Sequence, residues 1–246
     1  MFHLLPHHYT ALVVGASGGI GAAIIKQLLS SAQVGQIITV SRQTLSIDDP
    51  RITQLTLDVS QEHGRQALKQ ALAAQPIHLF FNAIGTLHDE AHHLQPEKRL
   101  DQLSVDNLTQ VMNVNAFTPI LLLAALQDSF KGSHPAIIAS LSARVGSITD
   151  NQLGGWYSYR ASKAANNMLL KTAAIELKRL NKQSVVLCLH PGTTDTALSK
   201  PFQARVPNEK LFSPTYVAEQ LLAVIADRTP EDSGSFWDWN GQPIEW

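Results

Sequence analysis

The chain has 246 residues, 44% of them hydrophobic and 16% charged, with 19 Lys and Arg against 20 Asp and Glu. That length and balance suit one well-buried α/β domain over residues 1–246 and exclude a disordered chain. The near-zero net charge leaves no basic excess for nucleic acid or an anionic membrane surface. The single cysteine, Cys188, lies in an apolar run and cannot close an internal disulfide, which fits a reducing, cytoplasmic compartment. Residues 1–8 carry no signal-peptide or anchor pattern, and the apolar runs fall short of the ~20 residues that span a bilayer.

The first element is an apolar β run over residues 11–14. It ends in Gly15-Ala-Ser-Gly-Gly-Ile-Gly21, and a helical pattern follows over residues 20–30. Strands are then expected at 36–40 and 52–57, a helix at 61–73 and a strand at 77–81. The chain continues with a helix at 105–129, a strand at 136–141 and a helix at 156–180. A strand at 184–189, a helix at 214–227 and a strand at 235–239 complete it. Continuous apolar strands alternating with helices predict a doubly wound parallel sheet of Rossmann type, flanked by helices on both faces. In such sheets ligands bind outside the carboxyl ends of the strands. The polar residues there are Ser41 and Arg42, Asp58, Asn82, Ser142, and His190-Pro-Gly-Thr-Thr194. The loop after the fourth strand holds His88, His92 and His93, but no second ligand cluster pairs with them, so no metal site is expected.

Strand, glycine turn and helix in that order make a phosphate site. The glycines allow a sharp turn and close approach, and the helix N-terminus supplies free N–H groups and the positive dipole end. The spacing is G-x-x-x-G-x-G, with Gly15, Gly19 and Gly21. A nucleotide hydrolase loop needs Gly-Lys-Ser/Thr at its end, and here Ala22-Ala23 follows Gly21. Gly15-Ala-Ser17-Gly-Gly19 also matches a hydrolase nucleophile elbow, but that elbow sits on a mid-sheet strand with earlier strands before it. Ser17 is therefore read as part of the phosphate turn. Further on, Tyr159 and Lys163 are four residues apart in a helical run and share one face. A nearby ammonium favours the phenolate, which makes such a pair an acid–base candidate.

Glycine turn, then a serine after the fifth strand, then Tyr and Lys: in this order the chain resembles the short-chain dehydrogenase/reductase family. The segments Ser142-Ala-Arg-Val-Gly-Ser-Ile, Gly154-Gly-Trp-Tyr-Ser-Tyr-Arg-Ala-Ser-Lys163 and His190-Pro-Gly192 resemble the branch that holds the bacterial C-factor proteins and the fly carbonyl reductase sniffer. The resemblance implies a catalytic set of Asn115, Ser142, Tyr159 and Lys163. Ser142 would bind the substrate carbonyl, Tyr159 would exchange the proton, Lys163 would hold the nicotinamide ribose and depress the Tyr159 pKa, and Asn115 would anchor a relay water. It also implies a cofactor set of Gly15, Ser17, Gly18, Gly19, Ile20, Gly21, Ser41, Arg42, Asp58, Val59, Asn82 and Ala83. Tyr159, Lys163, Pro191, Gly192, Thr193, Thr194 and Thr196 complete that set. Arg42 after the second strand, with no acid until Asp48, suits the 2′-phosphate of NADP(H) better than the ribose diol of NAD(H).

The chain departs from the family pattern in three places. Val14 stands where a threonine is usual, and Phe81-Asn82-Ala83-Ile84 replaces Asn-Asn-Ala-Gly. Ser142 precedes Tyr159 by a gap of seventeen, wider than usual, which leaves Ser140 and Asn113 as runners-up to Ser142 and Asn115. The leading expectation is an NADP(H)-dependent reductase of a small carbonyl compound, or the reverse alcohol oxidation. A non-catalytic, cofactor-sensing regulatory protein of the same fold is the alternative, and an epimerase or dehydratase would need a larger C-terminal domain. Arg144, Trp156, Leu198 and Phe202, with Ser142, are the substrate-pocket candidates. Residues 194–211 read as a lid, and the tail as an edge strand whose Trp237, Trp239 and Trp246 serve core or dimer. The family resemblance implies a homodimer or homotetramer.

Overall fold

The computed structural model describes residues 2–91 and 93–246, so His92 lies outside the described residues. Seven strands form one parallel sheet in the order β3-β2-β1-β4-β5-β6-β9. They are β1 (Tyr9–Val14), β2 (Val34–Ser41), β3 (Ile52–Thr56), β4 (Leu79–Asn82), β5 (Ala136–Leu141), β6 (Ser184–His190) and β9 (Ser235–Asp238). The chain reverses its direction of travel across the sheet between β3 and β4, which opens a crevice at the carboxyl ends of β1 and β4.

Side chains alternate across the sheet as the strand period demands. Val13, Phe81 and Leu187 face α1 (Gly19–Leu29) and α7 (Pro214–Ala226). Leu12, Phe80 and Val186 face the other layer, formed by α2 (Glu62–Leu72), α4 (Thr118–Ala125) and α6 (Tyr157–Leu180). Both faces are covered, so central strands such as β5 are buried along their whole length.

The helix expected over 105–129 is divided. It runs as α3 (Val105–Met112), a π turn (Asn113–Phe117), α4, and the short α5 (Gln127–Phe130). The π turn lies just before Pro119, whose nitrogen cannot donate to Asn115 O, and it holds Asn115, whose side chain bonds the loop after β4; such turns are frequent at functional sites. The stretch Val105–Ala125 is long and apolar enough, by length and composition, to cross a membrane, against the sequence expectation. Here it packs on α6 and α2.

The lid segment is closed by a short parallel ladder, β7 (Thr193–Thr194) with β8 (Leu211–Phe212). The tail is the expected edge strand. Trp239 packs on Phe212 at 4.4 Å, Trp246 stacks on Phe236 at 5.7 Å, and the Arg228 guanidinium lies 4.0 Å from the Trp237 ring.

Candidate active site

The glycine turn is fixed by backbone contacts. Gly15 has φ +77°, and a Cβ there would lie 2.8 Å from the Ala83 carbonyl carbon. The turns after β1 and β4 therefore touch, joined also by Ala83 N donating to Val14 O at 2.8 Å. A Cβ on Gly21 would lie 2.3 Å from Gly15 O, so only glycine lets the helix start there. Gly18 and Gly19 are exposed, with Thr196 beside Gly19. The first turn of α1 has neither a side-chain cap nor an acidic residue. Its N–H groups and dipole are left for an external anion, and a dinucleotide pyrophosphate fits that cradle.

Around this turn, Arg42 is exposed, while the Ser41 hydroxyl donates to Gln43 O. The Asp58 carboxylate accepts from Ser60 N and Oγ at 3.0 and 2.6 Å, and Val59 is buried beneath it. Asn82 Nδ2 donates to Ser140 Oγ at 2.8 Å, which commits Ser140 to the strand end. Pro191 and Gly192 lead into β7, with Gly192 at φ +70° against Phe212 and Trp239.

Tyr159 and Lys163 lie in the first turns of α6, 8% and 4% exposed. The Lys163 Nζ is 5.8 Å from the Tyr159 ring centre and donates to Leu141 O at 3.0 Å. Burial pushes the lysine down to about 8 and pushes the phenol well above its ordinary range. Burial thus works against the depression of Tyr159 by Lys163 that the resemblance implies.

Asn115 is buried, donates from Nδ2 to Thr86 O at 2.9 Å and to Ser162 Oγ at 3.0 Å, and accepts from Thr86 N at 2.7 Å. Ser162 Oγ in turn donates to Tyr159 O at 2.8 Å. Asn113 is exposed, so Asn115 is the asparagine joined to the Tyr159 turn.

Ser142 goes elsewhere. Its buried hydroxyl donates to Asn167 Oδ1 at 2.6 Å. Asn167 is eight residues beyond Tyr159, about 12 Å along the helix axis, and helical side chains lean back toward the N-terminus. Ser142 is thus bonded to a residue two turns further along α6 than Tyr159. Among the apolar residues, Ala143 packs against the Tyr159 cluster, with Leu87, Leu94, Val111, Val145 and Trp156. The Ser142 hydroxyl, expected to bind the substrate carbonyl, is engaged by Asn167 instead, while the next residue, Ala143, packs against the Tyr159 cluster.

Of the other pocket candidates, Trp156, Leu198 and Phe202 join this cluster, with Trp156 6.1 Å from Tyr159 and 5.2 Å from Phe202, ring centre to ring centre. Arg144 does not: its guanidinium bridges Asp150 and Asp238 at 3.3 Å each, tying the loop after β5 to the sheet edge. His88 contacts the lid, with Nε2 3.1 Å from Ala197 O and the Phe202 ring 5.7 Å away. Sequence reasoning missed Ala143, and also Glu97, whose buried carboxylate meets Ser158.

The family model described as short chain dehydrogenase matches residues 9–207. The chain belongs to the short-chain dehydrogenase family. Among dehydrogenases of known sequence it is 31% identical, over 96% of its length and 99% of the relative's, to the 1-hydroxy-2-glutathionyl-2-methyl-3-butene dehydrogenase of Rhodococcus sp. (strain AD45). It is 30% identical to the C-signal protein of Myxococcus xanthus, over 60% of its own length and 83% of that chain. Solved structures that share the short-chain dehydrogenase fold include an NADPH-bound carbonyl reductase from chicken fatty liver. That structure has TM-score 0.84 and 22% identity, over 99% of this chain and 97% of that one. The carbonyl reductase Sniffer of D. melanogaster has TM-score 0.83 and 21% identity, over 98% and 100%. As a member of this family the chain is an oxidoreductase acting on a small molecule.

Proposed function

We propose that this oxidoreductase, one nucleotide-binding domain over residues 1–246, uses NADP(H) to reduce a carbonyl compound or oxidise the matching alcohol. The observation that carries the reading is the buried Tyr159 and Lys163 on one helix face, in the crevice that the uncapped α1 N-terminus also serves. The bound nicotinamide supplies or accepts the hydride. Gly18, Gly19 and Gly21 receive the pyrophosphate at the α1 N-terminus. Arg42, exposed at the end of β2, meets the 2′-phosphate. Tyr159 gives its proton to the carbonyl oxygen, and in the reverse direction takes it back. Its raised pKa keeps it protonated in the ligand-free chain, the form a reductase needs for that step. Lys163 holds the nicotinamide ribose, and Asn115 fixes the turn that carries Tyr159.

The apolar side chains packed around Tyr159 (Leu87, Leu94, Ala143, Trp156, Leu198 and Phe202) favour an apolar carbonyl compound. Phe117, Leu121, Met168 and Ile175 are exposed, which supports a homodimer or homotetramer. We place the enzyme in the cytoplasm.

Fluorescence titration with NADPH and NADH tests the cofactor assignment, and a screen of carbonyl compounds tests turnover. Tight NADPH binding, weaker NADH binding, and an Arg42→Ala variant that loses only the NADPH preference are expected. Equal affinities would remove Arg42 from the argument. A second reading, a cofactor-binding regulatory protein without turnover, draws on the Ser142 hydroxyl being engaged by Asn167. NADPH binding with no turnover across the screen would favour it.

A further inference from the structure

Glu97 lies in the loop between β4 and α3, only 2% exposed, and among the described residues no basic side chain pairs with it. A buried carboxylate without a cation is costly unless its oxygens are hydrogen-bonded. Here both are, and both to one residue. Ser158 N donates to Oε2 at 3.1 Å, and Ser158 Oγ donates to Oε1. Ser158 is the second residue of α6, so the carboxylate also meets the positive end of that helix.

The helix needs this partner because its own entry residue cannot cap it. Trp156 precedes the helix in the left-handed region, at φ 52° and ψ 44°, after Gly154 and Gly155 at φ 64° and 68°. A bulky residue held there is strained, and such strain clusters at functional sites. What holds it is again Glu97, whose carbonyl accepts from Trp156 N. The result is that the Trp156 ring stands between Tyr159 and Phe202. The same loop carries Leu87 and Leu94 into the pocket wall.

We propose that Glu97 is a positioning residue that clasps the β4–α3 loop to the first turn of α6 and thereby sets Trp156 and Tyr159 against the substrate. This rests on the reading of Tyr159 as the acid–base group. It acts through Ser158 and Trp156 and touches neither cofactor nor substrate.

The test compares Glu97→Ala, Glu97→Gln and Ser158→Ala. Each is paired with a Trp156→Phe counterpart, so that the emission of Trp156 is obtained by difference from the other tryptophans. Without the carboxylate the first turn of α6 loosens. Expected for Glu97→Ala are a red-shifted Trp156 emission, a fall in kcat of about tenfold from lost alignment, and an NADPH dissociation constant within about twofold of wild type, because the glycine turn is built without Glu97. Glu97→Gln keeps one acceptor and recovers part of both effects, and Ser158→Ala shows the same effects in milder form. Unchanged Trp156 emission and kcat in the folded variants, with only a lower melting temperature, would overturn the proposal. If Glu97→Ala does not fold, Glu97→Gln and Ser158→Ala decide in the same way. If the wild type turns over no carbonyl compound, the function reading fails, and the Trp156 emission still decides the clasp.

Discussion

The two sides of the crevice are built by different means. On the cofactor side the geometry belongs to the main chain: Gly15 abuts Ala83, Gly21 abuts Gly15, and few side chains are involved. On the substrate side it belongs to buried side chains whose partners are far away in sequence. Asn115 reaches Thr86 and Ser162, Glu97 reaches Ser158, and Ser142 reaches Asn167. Residue spacing alone therefore defines the first side, because no residue but glycine fits. The second side depends on which face of a strand or helix each side chain leaves from.

The largest effect expected is on the substrate side alone. Tyr159→Phe removes one hydroxyl and no packing, so carbonyl turnover should fall by roughly 10²–10⁴ while the NADPH titration stays as in wild type. Steady-state kinetics beside fluorescence titration check it, and a variant with near-normal turnover would remove Tyr159 from the chemistry.

On the cofactor side the matching variant is Gly21→Ala. A Cβ 2.3 Å from Gly15 O forces the turn open, at a cost of about 1–3 kcal/mol. NADPH affinity should fall by about tenfold or more, with a lower melting temperature. Unchanged affinity would mean the turn does not carry the pyrophosphate.

A smaller effect sharpens the contrast. Ala143→Ser places a hydroxyl among the residues around Tyr159, and a hydrogen bond to the carbonyl oxygen worth ~1 kcal/mol would raise turnover about fivefold. Ser142→Ala should leave turnover close to wild type. It strands Asn167 Oδ1 instead, costing about 1–3 kcal/mol of stability, which chemical denaturation reads. A large loss of kcat in Ser142→Ala with unchanged stability would return Ser142 to the catalytic set.

These cases also show how much was legible in the sequence. Apolar periodicity placed each strand of the main sheet within a few residues, and the turn and the Tyr159–Lys163 pair stand where their spacing put them. The Ser142–Asn167 bond had a signal: counting alternately from Ile138 through Ser140 puts Ser142 on the α6 face, and its gap to Tyr159 is wide. The break in the 105–129 helix had a local signal in Pro119, which cannot donate to Asn115 O and stands in the first turn of α4; the Asn115 side-chain bond to Thr86, 29 residues upstream, had none. Arg144 was unreadable for the same reason, since its acidic partner Asp238 is 94 positions away.

The last prediction leaves turnover aside and reads stability against pH, with Lys163 as a buried cation. Its pKa is lowered from 10.5 to about 8 by burial. Between those values the unfolded chain holds a proton that the folded chain has released, so stability contributed by this group rises with pH through that window. It is fully present above 10.5 and is lost as pH falls through 8, where the folded chain must bury the charged ammonium. Lys163→Met buries no charge and should lack this slope. The stability difference between wild type and Lys163→Met, from thermal melts of the ligand-free proteins at pH 7 to 10, should therefore shift in favour of wild type as pH rises. A flat difference would show that Lys163 keeps its ordinary pKa, and that the Leu141 carbonyl and nearby solvent offset its burial.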